Sequence, residues 1–241
     1  MQPNEYETMF RVEGTHWWYG ALHRLIFQAL EAELPDWRKK EILDVGCGTG
    51  AILKQLGNPE KNVGIDVAPE ALSFCRQRGL NNVRQGDIGA LPFADASFDA
   101  VICSSVLYHQ WVSDIPGAAR EMHRILRPGG LLLINVPAFP FLHSVHDEAV
   151  MTAHRFRRPE IRQLLLKQNF RIRRLTYWTT FLFPLAVVAR TLGGSRMGRD
   201  FETAKTSFTQ RAFTQIMSLE VALLRTISLP FGVALFAVAR K

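Results

Sequence analysis

Short apolar runs alternating with helical patterns constrain this chain more than any other feature of its sequence. The runs are Glu41–Val45, Asn62–Asp66, Asn82–Gly86, Phe98–Cys103 and Leu131–Val136. Helical patterns stand between them, around Ala51–Leu56, Pro69–Arg78 and Pro116–Leu126, with Pro69 and Pro116 suited to a first helical turn. "RPGG", Arg127–Gly130, reads as a hard stop before the fifth run. Strand–helix alternation with short connections predicts parallel strands joined by right-handed crossovers, an α/β, doubly wound sheet. In such sheets ligands sit beyond the carboxyl ends of the strands, at the switch point, so the informative residues are those that follow each run.

Around this block the pattern is different. Residues 14–33 place Trp17, Trp18, Ala21, Leu22, Leu25, Ile26, Ala29 and Leu30 at helical spacing, and Pro35 ends the helix. Residues 138–158 read as loop, Pro159–Asn169 as helix, Arg171–Trp178 as strand and Gly232–Ala239 as a final strand. Residues 180–231 form a long insert: an apolar segment, a polar break at "GGSRMGRD" and a helix near Ser207–Ile227. The expectation is one domain over 1–241, with 1–36 as an N-terminal helix and 180–231 as a helical cap.

The stretch "EILDVGCGTGAIL", Glu41–Leu53, is an apolar strand ending in a carboxylate, then a glycine-rich turn, then a helix. Backbone approaches a ligand closely at such a turn. Gly46, Gly48 and Ala51 match the dinucleotide spacing G-x-G-x-x-G/A, and Asp66 lies 20 residues beyond Gly46, where an acid grips a ribose. A nicotinamide or flavin enzyme is therefore one reading. Asp44 argues against it, because a carboxylate at the strand tip opposes a pyrophosphate and favours a ligand bearing an ammonium and a sulfonium. Asp44 as a cap on loop amides is compatible with either reading.

"LDVGCGTG" resembles the first motif of the class I S-adenosylmethionine-dependent methyltransferases. "VGID", Val63–Asp66, resembles their second motif, and "QGDIGALPFADASFDAVICSSVLYH", Gln85–His109, their third and fourth. "ILRPGGLLLINVP", Ile125–Pro137, resembles the stretch leading into their fifth strand. The resemblance covers about residues 40 to 137, in the family's order and spacing. It implies a Rossmann-like, seven-stranded, mostly parallel sheet whose reversed last strand is "FGVALFAVAR". It implies S-adenosylmethionine as cofactor, with Asp44, Gly46, Cys47, Gly48 and Gly50 at the methionyl end and Asp66 on the ribose hydroxyls. Val67, Asp87 and Ile88 then fall at the adenine and Ser104 near the sulfonium. In methyltransferases of this type the helix before the first strand folds over the donor as a lid, which puts His16 and Tyr19 near donor or acceptor and Trp17 and Trp18 in the core.

Methyl transfer from a sulfonium needs alignment, exclusion of water and, for many acceptors, a base. The candidate catalytic residues are His109, after the fourth strand, His143 and His146 in the loop after the fifth, and Tyr19, with Asp147 as a further candidate base. No metal is expected, since no Cys/His cluster has zinc-ligand spacing. The apolar wall Phe181, Leu182, Phe183, Leu185, Val187 and Val188 points to a small, partly hydrophobic acceptor, methylated on oxygen or nitrogen, or on carbon. A dimer interface or plain core packing accounts for the same wall.

The net charge of +7 and pI near 9.7 fit an acidic partner, but no Lys/Arg tract with interleaved aromatics points to nucleic acid. Arg155, Arg157, Arg158, Arg162, Arg171, Arg173 and Arg174 crowd one region, as a solvated face, an acid-recognising patch or a peripheral membrane contact. "MQPNEYETMF" lacks the apolar core of a signal peptide, and the apolar segments are too short or too broken to span a bilayer, which takes about 20 residues. Cys47, Cys75 and Cys103 fit reduced thiols in a cytoplasmic protein, monomer or homodimer. Two readings stand beside methyl transfer: a nicotinamide-dependent oxidoreductase, and a catalytically silent S-adenosylmethionine-binding partner subunit.

Overall fold

The computed structural model describes residues 3–191 and 207–241. Its centre is a seven-stranded sheet in the order β3-β2-β1-β4-β5-β7-β6. The strands are β1 (Ile42–Val45), β2 (Val63–Asp66), β3 (Val83–Gln85), β4 (Phe98–Ser104), β5 (Leu126–Pro137), β6 (Arg171–Trp178) and β7 (Ala234–Arg240). β1 to β5 pair in parallel; β7 runs antiparallel between β5 and β6, the reversed last strand that the resemblance implies.

The central strands β1, β2, β4 and β7 are buried almost throughout because both faces are covered. All four residues of β1 are buried. Successive residues point to opposite faces. Leu43, Val101, Leu132 and Ile134 therefore pack with Met122 of α5 (Ile115–Ile125) and with Ile161 and Leu165 of α7 (Arg158–Lys167). Ile42, Ile102, Leu131 and Leu133 pack on the other side. There they meet Leu25 and Leu30 of α2 (Trp17–Glu33), Leu53 of α3 (Ala51–Leu56), Leu72 of α4 (Pro69–Gln77) and Met217 and Val221 of α9 (Ser207–Leu223). Pro69 and Pro116 do occupy first turns, and Asp114 caps α5 by accepting the Gly117 amide at 2.8 Å.

Three expectations change. "RPGG" stops α5 but does not precede β5: the strand begins at Leu126 and bulges through Arg127–Gly130, the register moving from Phe98↔Leu126 to Ala100↔Leu131. Arg127 holds the bulge, bonding Asp99 at 2.8 Å and reaching Glu41. The N-terminus forms a separate helix, α1 (Pro3–Val12), whose polar composition hid it. Residues 138–158 contain a 3-10 turn at Pro140–Leu142 and a short helix, α6 (Val145–Ala149). The insert opens with α8 (Phe183–Thr191) and closes with α9, while "GGSRMGRD" lies outside the described residues. Among the described residues no helix is long and apolar enough to cross a membrane.

Candidate active site

A cavity of about 680 Å³ lies across the carboxyl ends of the strands. Its two halves differ in chemistry.

The first half is built on the turns after β1, β2 and β3. The amides of Gly46 and Cys47 both donate to the Ile65 carbonyl, at 2.7 and 3.0 Å, which folds the glycine turn over the end of β2. Gly46 has φ +67°, and a Cβ there would overlap the Val106 side chain, so only glycine fits. The Asp66 carboxylate accepts the Gly48 amide at 2.9 Å on one oxygen and the Ala68 amide at 3.0 Å on the other. Both oxygens are thereby fixed in the cavity wall. Val67, Asp87 and Ile88 line the same end, and Asp87 also caps its own turn by accepting the Gly89 amide at 2.7 Å.

Asp44 is 1% exposed and its Oδ2 has no hydrogen-bond partner. Burial, reinforced by Asp66 and Glu13, raises its pKa to about 7. Burial also raises Asp66, against the pull of the two amides it accepts. The opposition to a diphosphate expected of Asp44 thus belongs to a group of acids, Asp44, Asp66, Glu13 and Asp87, rather than to one ionised residue. The Cys47 thiol is pushed up by its hydrogen bond with Cys75, 3.9 Å away, and by burial.

α1 covers this half. Tyr6 and Met9 line the cavity, the Met9 methyl lying 2.8 Å from where a Gly48 Cβ would stand. The helix is pinned at its C-terminal end: Glu13 accepts from the Thr49 hydroxyl and from Arg78, and Arg78 donates to the Thr49 carbonyl at 2.8 Å. The Arg78 guanidinium also sits 4.3 Å from the Phe10 ring centre. α2, the element expected to be the lid, contributes Trp17, Trp18, Tyr19, Leu22 and His23 to the wall. His16 lines the cavity and caps α2, accepting the Trp18 amide at 3.2 Å. Trp17 is core, as expected, whereas Trp18 is half-buried and stacks on Trp178 at 5.5 Å.

The second half is built on the turns after β4, β5 and β6. Ser104 ends β4 with its hydroxyl buried and unpartnered. Ser105, at φ +63°, accepts from the Asn135 side chain at 3.2 Å, and Asn135 in turn accepts the Trp178 indole N–H at 2.8 Å. His109 is buried against Trp111, ring centres 4.2 Å apart, and burial lowers its pKa to about 4, so the imidazole is neutral. Asp147 and Arg155 form a buried ion pair at 2.7 Å, with Arg190 at 3.7 Å. Burial raises the Asp147 carboxyl, but the two guanidiniums outweigh it and hold the group below its ordinary value.

Of the expected catalytic residues, the structure brings His109 and Tyr19 to the cavity. His143 is exposed beyond the 3-10 turn and does not line the cavity, and the His146 side chain lies outside the described set. Asp147 is tied into its ion pair. Sequence reasoning missed the Glu13–Arg78 pin, Asn135, Thr152 and Thr179. It also read Arg155 with the other arginines, although Arg155 is buried and Arg157, Arg158 and Arg162 are exposed. The five residues between Arg155 and Ile161 carry no periodic signal that separates a buried arginine from its neighbours.

Sheet order, the reversed β7 and the glycine turn define the class: the fold is that of the class I S-adenosylmethionine-dependent methyltransferases. Residues 43–134 match the family described as "Methyltransferase domain". The malonyl-[acyl-carrier protein] O-methyltransferase of Serratia marcescens is 39% identical over 110 residues, 45% of this chain and 42% of that protein. That of Pectobacterium atrosepticum is 36% identical over 124 residues, 51% and 48% of the two chains. The chain thus spans about half the length of the curated relatives it matches. An S-adenosylmethionine dependent methyltransferase from Mesorhizobium loti superposes with TM-score 0.59 at 19% identity, over 90% of this chain and 98% of that one. The [4+2]-cyclase SpnF superposes with TM-score 0.58 at 21% identity, over 93% and 82%.

Proposed function

We propose that the chain transfers a methyl group from S-adenosylmethionine to an oxygen of a small, partly apolar acceptor. The observation that carries this reading is the buried Asp44 oxygen without a partner, set among further acids at the tip of β1. A buried carboxylate is retained when a cation meets it, and the methionyl end of this donor brings an ammonium and a sulfonium. The residues present therefore fit the group. Asp66 would receive the ribose hydroxyls; Val67, Asp87 and Ile88 would border the adenine; Gly46, Cys47, Gly48 and Gly50 would present backbone, and Ser104 would stand nearest the acceptor.

When bound, S-adenosylmethionine supplies a methyl group already activated by the charge on sulfur. What remains for the chain is alignment and dryness. α1, pinned by Glu13 and Arg78, closes the donor half from water. His109, neutral at working pH, is the residue placed to hold a proton from the acceptor. Tyr19 lies on the cavity wall, and α8 with α9 forms the cap of one domain spanning 1–241. The oxygen preference draws on the Serratia and Pectobacterium relatives, whose names specify O-methylation. SpnF, a cyclase with this fold, shows that architecture alone does not decide the reaction. The three cysteines are free and buried, Cys47 and Cys75 close but not joined by a disulfide, which supports a reducing, cytoplasmic setting.

Calorimetric titration with S-adenosylhomocysteine and with NADH tests the donor. Binding of the first and not the second is expected; the reverse ends the proposal. Transfer of a labelled methyl group to an added acceptor then separates an enzyme from a silent binding subunit.

A further inference from the structure

The polar groups of the acceptor half fall into two sets. The charged ones are engaged. Arg155 donates to the carbonyls of Ala138, Phe139 and Val233, at 2.9, 3.1 and 3.3 Å, and to Asp147 at 2.7 Å. Arg190 donates to the Leu142 carbonyl at 2.9 Å and lies 3.7 Å from Asp147. Asp147 also accepts the Ser144 amide at 2.9 Å. Among the neutral ones, His109 Nδ1 and Thr152 Oγ1 are buried and have no hydrogen-bond partner, although both residues line the cavity.

These two residues face each other across an isolated antiparallel bridge. Opposed residues in such a bridge carry their side chains on the same side, with Cβ atoms about 4.5–5.5 Å apart. The bridge is clipped on both flanks, by the Gln110 amide on the Met151 carbonyl at 3.1 Å and the Ala153 amide on the Tyr108 carbonyl at 2.8 Å. The pair is therefore fixed in place before any ligand arrives. Each buried polar atom left without a partner costs about 1–3 kcal/mol, and native proteins keep few of them. A neutral imidazole has one N–H and one lone pair. The ring nitrogen without a partner is Nδ1, and the tautomer with its proton on Nε2 leaves the Nδ1 lone pair free for a donor.

We propose that His109 and Thr152 form a paired subsite for a hydroxyl group of the acceptor, which donates to His109 Nδ1 and accepts from the Thr152 hydroxyl. A hydroxyl does both through one atom; a carboxylate has no proton to give His109, and both cavity arginines are already engaged. Thr152 is then a positioning residue for specificity. The inference rests on the methyl-transfer reading and narrows its acceptors to hydroxyl-bearing, largely apolar molecules.

Equilibrium dialysis tests it with 1-naphthol, naphthalene and 1-naphthoate against protein saturated with S-adenosylhomocysteine. The wild-type chain should retain 1-naphthol about tenfold more tightly than naphthalene, the ratio that one satisfied hydrogen bond to a buried group produces. Thr152→Val should bring that ratio to about twofold or less and Thr152→Ser should restore it, with S-adenosylhomocysteine affinity equal in all three proteins. Equal retention of naphthol and naphthalene by the wild type, a ratio undiminished in Thr152→Val, or tightest binding of 1-naphthoate overturns the proposal. A chain that fails to bind S-adenosylhomocysteine sinks the methyl-transfer reading instead, and the naphthol ratio measured without it still judges the subsite.

Discussion

The two halves of the cavity are made from different materials. The donor half is backbone: glycine amides on the Ile65 carbonyl, the Gly48 and Ala68 amides on Asp66, a turn at Asp87. Apart from the helices that cover it, its parts sit within a few residues of a strand end. The acceptor half is side chain: His109 opposite Thr152, Asn135 on Trp178, Arg155 on Asp147 and on the carbonyl of Val233. Its parts come from distant stretches of the chain. The first is acidic and suited to a cation, whereas the second has its charges paired and leaves neutral polar atoms over. A backbone-built site tolerates little change in its turns; a side-chain-built site can exchange its ligand while the fold stays intact.

Substitution at Gly46 tests that contrast most severely. Gly46→Ala must adopt a positive φ and displace Val106, at a cost of roughly 2–5 kcal/mol from left-handed backbone plus overpacking. Urea denaturation should show the midpoint falling accordingly, with donor binding lost as well. Thr152→Val, a change of similar size in the other half, should move the midpoint by less than about 1 kcal/mol, since isosteric loss of a hydroxyl that has no partner sacrifices no bond. Equal destabilisation by the two would erase the distinction.

Next in size is Asp66→Ala. It removes the group proposed to receive the ribose hydroxyls and frees the two amides it accepts, and it should weaken S-adenosylhomocysteine binding by about 1–3 kcal/mol. Calorimetry would expose an unchanged affinity, which would leave the donor half without its anchor.

The same contrast explains what could be read in advance. Asp44, Gly46, Gly48, Asp66 and Asp87 were legible because a turn that bonds through its backbone imposes fixed spacing on the chain. The parallel, doubly wound sheet followed from the same alternation, and the reversed β7 from the resemblance. Thr152 was not legible: it belongs to no helical or strand period, and only the clip between residues 108–110 and 151–153 brings it to His109. Arg155 was hidden among exposed arginines, and α1 by its polar composition, because one buried face of a terminal helix leaves little mark in a chain of mixed charge. His143 looked equivalent to His109 in sequence; the 3-10 turn at Pro140–Leu142 leaves it exposed.

Protonation sharpens the comparison further. Asp44 in the free chain has a pKa raised to about 7. A cationic ligand needs it ionised, and ionisation rises with pH. With that pKa, roughly a tenth is ionised at pH 6 and nine-tenths at pH 8, so affinity for S-adenosylhomocysteine should climb by several-fold across that window. Asp44→Asn should flatten the slope. A slope of opposite sign would mean that the ligand meets Asp44 through an anionic group. For the chain alone the sign is reversed: a carboxyl raised above its unfolded value withdraws stability as pH rises toward 7, and bound donor restores it.

The smallest effect is an expected constancy. His109 is lowered from 6.5 to about 4 by burial, so it is neutral from pH 8 down to pH 6 and begins to charge only below about pH 5. Affinity for 1-naphthol should therefore change by less than about twofold over the range in which donor affinity changes most. His23, also lowered to about 4 by burial, adds to the acid side: both imidazoles withdraw stability as pH falls from 6.5 toward 4, because the unfolded chain binds protons that the folded one refuses. Measured side by side at pH 6, 7 and 8, a sloping donor isotherm and a level naphthol isotherm would show two ends of one cavity titrating independently. Parallel slopes would mean that Asp44 reaches across the cavity to the acceptor, and that the division between a charged half and a neutral one is wrong.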